Sequence, residues 1–177
     1  MMDFFSRISK LFIIIIVLLF SFNCNSQERA KEKKENLQTV IYSRYGGKPG
    51  FNETLTITKD SLKYFSQTRK VVRKAATSGK TISNILLENK YGETTSDILW
   101  KNINNSFNLE LFKSIENGES RLPVDGTDTQ YTVILDSGEK FSIINGQHTE
   151  QYKKMIPFFN HIDSLRAKIE KSVTKNE

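Results

Sequence analysis

The stretch "TQYTVILDSGEKFSIING", Thr129 to Gly146, decides how the rest of the chain is read. Tyr131 to Leu135 is dense in β-branched and aromatic residues, and so is Lys140 to Asn145, which marks two strands. Between them, Asp136, Ser137 and Gly138 supply turn chemistry, with Gly138 free to take a left-handed conformation. The stretch is therefore a β-hairpin, and an antiparallel sheet follows from it.

Upstream, "LQTVIYSRY", Leu37 to Tyr45, has the same strand composition. In "NETLTITKDSLKYFSQT", Leu55 and Ile57 fall on one side and Thr54, Thr56 and Thr58 on the other, the alternation of a half-buried strand. Lys59, Asp60 and Ser61 make the turn, and Leu62 to Gln67 returns. In "RKVVRKAATSGKT", Arg69 to Thr81, Arg69, Lys70, Arg73 and Lys74 surround valines and alanines, a pattern that suits an edge strand guarded by charge. Ser78 and Gly79 mark a turn, and "ISNILLENKYGET" after it admits either a further strand or a helix.

Helical patterning occupies the remainder. Thr95, Ser96 and Asp97 can cap a helix bearing Ile98, Leu99, Trp100, Ile103 and Phe107. After a break near Asn105 and Ser106, Leu109, Phe112 and Ile115 continue into a short second helix that Gly118 closes, with Trp100 and Phe112 as core anchors. In "TEQYKKMIPFFNHIDSLRAKIEKSV", residues Tyr152, Met155, Phe159, Ile162, Leu165 and Ile169 trace one helical face, and Pro157 requires the helix to start beside it or kink there. The expected fold class is α+β: one domain over residues 37–177, an antiparallel sheet of about four to six strands with two or three helices packed on one face.

The N-terminus reads differently. Arg7 and Lys10 precede "LFIIIIVLLF", Leu11 to Phe20, a run too short for a permanent span and suited to the apolar region of a signal peptide over residues 1–23. The chain's sole cysteine, Cys24, follows at once in "SFNCNSQ", a placement that resembles the lipobox of bacterial lipoproteins and implies lipidation of Cys24. Ser21 and Asn23 depart from the usual residues there, and cleavage after Ser26 is the alternative. Residues 24–36 are polar and charged, with too little apolar surface to order themselves, and form a tether. The expectation is an exported protein of the cell envelope, periplasm-facing and held to the membrane through Cys24, or otherwise soluble in the periplasm or secreted. The formal net charge of +6 falls by one when Arg7, Lys10 and Asp3 leave with the leader, a modest excess that calls for no nucleic acid.

Catalytic patterning is thin. His148 and His161 are the only histidines, without HExxH spacing and without a cysteine to complete a zinc site. Asp125 and Asp128 lack the alternating oxygen ligands and distal glutamate of a calcium loop and read as turn residues. Nucleophile elbow, phosphate loop and dinucleotide fingerprint are absent. The expectation is a non-enzyme with no metal and no cofactor, acting by binding.

The binding candidate is "SRYGGKPGFNETLTI", Ser43 to Ile57. Gly46, Gly47 and Gly50 admit close backbone approach, Pro49 restrains the loop, and Tyr45 and Phe51 flank it with aromatic faces. A plain hairpin turn with Phe51 directed inward is the competing reading. The Gly-Gly and Gly-Phe loop (Gly46, Gly47, Gly50, Phe51), the Asp125–Gly126 pair and the Tyr131–Val133 strand together resemble the emfourin-type inhibitors of thermolysin-like metallopeptidases, and also small envelope lipoproteins of Bacteroidetes-type bacteria. The resemblance implies a peptidase inhibitor whose Tyr45–Phe51 loop occupies a thermolysin-like cleft. A structural lipoprotein that assembles an envelope complex through its sheet edge is the alternative.

Overall fold

The computed structural model describes residues 36–47, 50–76, 79–122 and 126–174, with side chains left out of the description for residues 70–76, 79–85 and 174. The expected signal peptide, Cys24 and most of the tether lie outside the described residues, as do Lys48, Pro49, Ser78 and Asp125.

Six strands form one antiparallel sheet: β1 (Leu37–Gly46), β2 (Phe51–Thr58), β3 (Leu62–Ala76), β4 (Gly79–Glu93), β5 (Thr127–Leu135) and β6 (Lys140–Ile144). Their spatial order is β4-β3-β2-β1-β5-β6. The first four strands are a meander, and β5 returns to pair with β1 so that Tyr131 lies opposite Tyr42 and Val133 opposite Val40. The β5–β6 turn follows the sequence reading, with Gly138 at φ 85. The α+β class and the sheet size are as the sequence predicts.

The helices are α1 (Asp97–Ser106), α2 (Leu109–Lys113), α3 (Glu150–Lys154) and α4 (Ile156–Thr174), one more than the upper count expected. The extra element arises because the last amphipathic pattern is split at Met155. Pro157 then falls in the first turn of α4, where its missing N–H costs nothing. Ser96 caps α1 by accepting from the Leu99 N–H, and Asn108 caps α2 by accepting from the Leu111 N–H. The break comes at Phe107–Asn108, just past the Asn105–Ser106 position expected.

Alternation along the strands places Val40, Tyr42, Leu55, Ile57, Leu62, Tyr64, Tyr131 and Val133 on one face. Against it pack Ile103, Phe107, Phe112, Met155, Phe158, Phe159 and Ile162 from the helices. Phe112, Phe158 and Phe159 are fully buried, each worth roughly 1.5–3 kcal/mol in transferred apolar surface. Tyr152 stacks on Phe159 at 3.9 Å, which joins α3 to α4 across the break. Trp100 only borders this core, while Ile98, counted with the core face in the sequence pattern, is 74% exposed.

In the middle region one expectation is corrected and one open alternative is decided. The cationic segment from Arg69 is no separate edge strand but the distal half of β3, and β4 pairs with it over its whole length from Leu62↔Glu93 to Ala76↔Gly79. The helix reading of "ISNILLENKYGET" falls with the same pairing. As a strand, the segment covers the edge of β3, whose backbone groups a helix would leave unpaired.

Candidate functional site

The β1–β2 connection lies at one end of the sheet. The chain reverses there through Gly46 at φ 114, Gly47 at φ 76 and Gly50 at φ 107, backbone conformations that L side chains rarely adopt. At Gly46 the space a Cβ would need is already filled by Leu122 and by the Gly126 carbonyl. The Gly47 N–H donates to that same carbonyl at 3.0 Å. Gly46 and Gly47 thus bring the chain's own Leu122 and Gly126 close against the hairpin.

Gly50 differs, because among the described residues nothing lies within 4 Å of the position its side chain would take. Its carbonyl accepts from the Arg69 N–H at 3.1 Å, tying the hairpin to β3 just where β2 ends. Phe51 is half-buried under the Arg44 guanidinium, 4.7 Å from the ring centre. Tyr45, also half-buried, sits in register between Asn52 of β2 and Asp128 of β5. A cleft of about 230 Å³ opens between Gly50, Phe51, Asn52, Gln67 and Arg69. Of the five loop residues singled out from sequence, Gly50 and Phe51 line this cleft, and Tyr45, Gly46 and Gly47 do not. The lining offers backbone, one aromatic ring, two amides and a guanidinium, which can hold a peptide and lack a nucleophile.

Asp128, read from sequence as a turn residue, is a buried carboxylate in strand β5. Ser120 Oγ donates to it at 2.6 Å, the Arg121 N–H at 2.7 Å and Asn145 Nδ2 at 2.8 Å. Burial opposes its ionisation, yet these hydrogen bonds prevail and hold the carboxyl below the usual aspartate range. Asn145, left-handed at φ 50, also donates to the Glu119 carbonyl at 2.9 Å. The pair pins the segment that buttresses Gly46. His148 lies in a 3₁₀ turn and His161 on α4, and among the described residues no cluster of three or more His, Cys, Asp or Glu side chains could hold a metal. Among them, too, no helix is long and apolar enough to cross a membrane.

Beneath α4 lies a charged cluster that the sequence reading missed. Glu53 is fully buried, with Arg44 Nε 3.1 Å from Oε2 and Arg166 3.2 Å from Oε1. The Tyr64 hydroxyl donates to Oε1 at 3.0 Å, and Arg166 also reaches Glu170 at 2.8 Å. Beside it, the Tyr131 hydroxyl donates to Asp163 at 2.8 Å. Burial, reinforced by Glu53, pushes both Tyr42 and Tyr64 up to about 12. Burial also raises Asp163, against the Tyr131 hydrogen bond and the Arg166 charge. The signal was present in the strand alternation: Glu53 shares parity with Leu55 and Ile57, so a charge stood on the buried face. Its partners on β1 and α4 are far off in sequence, and nothing local announces them. Glu53 Oε1 accepts from Tyr64 and Arg166 while Oε2 faces Arg44 Nε as an ion pair without a hydrogen bond, and through Arg166 the cluster couples α4 to the sheet.

A scan against protein-family models finds no match to this chain, and a search of curated proteins finds none either.

Proposed function

We propose that the protein is a non-catalytic, exported binding module of the cell envelope, anchored through Cys24, whose working surface is the cleft between the β1–β2 loop and the root of β3. Its most concrete form is inhibition of a thermolysin-like metallopeptidase. The observation that supports it most is Gly50: a left-handed glycine with no described residue within 4 Å of its side-chain position, bonded to Arg69 and flanked by Phe51, on a frame held rigid from behind by Gly126 and Asp128. Rigid presentation of a short loop lowers the ordering cost of association.

The test is titration of the purified protein into a thermolysin-like peptidase, with intact-mass controls against simple digestion. Saturating inhibition near equal stoichiometry is expected. Asn52→Arg, at an exposed position in the cleft lining, should abolish it while leaving the melting temperature unchanged. Absence of inhibition by the intact, folded protein would remove the peptidase form. A second reading, an assembly subunit that docks through its sheet edge, is favoured by β4, a fifteen-residue terminal strand.

A further inference from the structure

Strand β2 pairs with β3 only as far as Phe51↔Thr68. Arg69 to Ala76 and their partners Gly79 to Leu86 run on as a two-stranded ribbon. Eight residues at about 3.3 Å each carry it roughly 26 Å past the end of β2. The ribbon leaves the sheet at the end opposite Leu37, since Val40 pairs with Ile57 and Ile57 with Leu62.

From Arg69 to Leu87 the sequence holds Arg69, Lys70, Arg73, Lys74 and Lys80 and not one acidic residue. The first carboxylate beyond, Glu88, is engaged by Gln67 at 2.9 Å and by Lys90 at 3.4 Å. At the ribbon's root Leu86 and Leu87 are 49% and 39% exposed, on opposite faces of β4. Along the outer edge of β4, about half the residues direct backbone N–H and C=O groups away from β3.

We propose that this ribbon receives an extended acidic segment of a partner polypeptide as an added strand on β4, with Leu86 and Leu87 as apolar anchors on its two faces. The inference rests on the second reading, docking through the sheet edge, and names the chemistry of the partner. Outward backbone groups are matched by another backbone in extended form, which is how strand addition gains its affinity. Five cations in a stretch of sequence without a carboxylate, four on β3 and Lys80 on β4, select the occupant. They repel a second copy of the same edge and attract a strand bearing glutamate or aspartate, so one set of charges both prevents self-pairing and confers specificity.

The probe is a ten-residue peptide of alternating Glu and Val, titrated into the full chain and followed by affinity and by amide hydrogen exchange. Controls are the Lys-Val counterpart, the same acidic peptide with N-methylated backbone, and phosphatidylglycerol vesicles. The acidic peptide should bind, slow exchange across Gly79–Glu93, and weaken as salt is raised. The combined change Lys70→Glu, Arg73→Glu and Lys74→Glu should lower its affinity about tenfold. Equal binding of the N-methylated peptide would overturn the proposal, because no strand would then be added. Equal binding of the Lys-Val peptide, or protection of Gly79–Glu93 by vesicles alone, would overturn it as well. If the triple variant does not fold, the wild-type comparison of the peptides decides by itself. Asn52→Arg separates the two readings: peptidase inhibition depends on that position and strand addition does not.

Discussion

Removing the Glu53 carboxylate tests the coupling of α4 to the sheet. In Glu53→Ala, Arg44 and Arg166 lose their shared counter-ion and the Tyr64 hydroxyl loses its acceptor. Breaking a buried ion pair by deleting one partner costs about 3–5 kcal/mol, mostly the penalty for the charge left behind. Here the cations are not sealed off: Arg44 and Arg166 side chains are 31% and 17% exposed, and Arg166 keeps Glu170. The loss should therefore sit at the low end, about 3 kcal/mol. With a urea dependence of about 2 kcal/mol per molar, the unfolding midpoint should drop by roughly 1.5 M. Glu53→Gln retains the shape and an acceptor for Tyr64, and should cost about half as much. Replacing both sides of one pair, Glu53→Leu with Arg166→Met, should cost less than the two single changes added together. Urea denaturation followed by far-UV circular dichroism measures the five variants and the parent. A Glu53→Ala variant within about 0.5 kcal/mol of the parent, the scatter of ordinary surface changes, would refute the reasoning.

Three further outcomes follow from particular residues. Gly46→Ala combines a φ of 114 with a clash against Leu122 and the Gly126 carbonyl, whereas Gly50→Ala meets only the strain of its φ. Gly46→Ala should lose about 3 kcal/mol and Gly50→Ala about 1, read from thermal midpoints, and equal losses would contradict the packing assigned to Gly46. Phe158→Ala empties a fully buried position among Phe107, Phe112 and Phe159 and should cost about 3–5 kcal/mol in urea; a loss below 1 would mean that α4 does not pack there.

The third outcome concerns pH. Tyr42 and Tyr64 have folded values of about 12 against an ordinary 10, so the folded state keeps protons that the unfolded chain releases. Their contribution is complete below pH 10 and is lost as pH rises from 10 to 12. Alkaline melts should fall off through that window, and less steeply in Tyr64→Phe. Asp128 works at the acid end with the opposite sign. Its folded value is depressed, so its stabilisation is present above the ordinary aspartate value of 3.8 and is lost as pH falls through the lower folded one. Asp128→Asn should flatten that acid limb; an unchanged slope would show that Asp128 is not the group responsible. Asp163, raised by burial, adds stability while protonated and loses it as pH climbs through its folded value, which partly offsets Asp128.

Legibility in the sequence tracked the range of the interaction concerned. The β5–β6 hairpin, a cap among Thr95, Ser96 and Asp97, a break close to Ser106 and a helix start or kink beside Pro157 depend on residues within a turn of one another and could be read from composition and spacing, whereas the Asn108 cap was found only in the structure. Ile98 shows the limit even there: its spacing fits the apolar stripe, but it stands 74% exposed. The glycine loop was recognisable as a place where backbone comes close. What comes close at Gly46 is the chain's own Gly126 carbonyl, some eighty residues on.

By itself, the sequence determined the α+β class, the β5–β6 hairpin, the capping run at Thr95–Asp97 and most of the apolar faces, because periodicity and turn chemistry are local properties of a polypeptide. Only the tertiary structure decided that β5 returns beside β1, that β3 and β4 continue past the sheet as a cationic ribbon, and that Glu53 meets Arg44 and Arg166 under α4. Those outcomes rest on backbone pairing and charge burial between distant segments. Pairing is settled by which strand edges remain unsatisfied once the core has closed, and a buried charge by which cations the packed helix brings within reach.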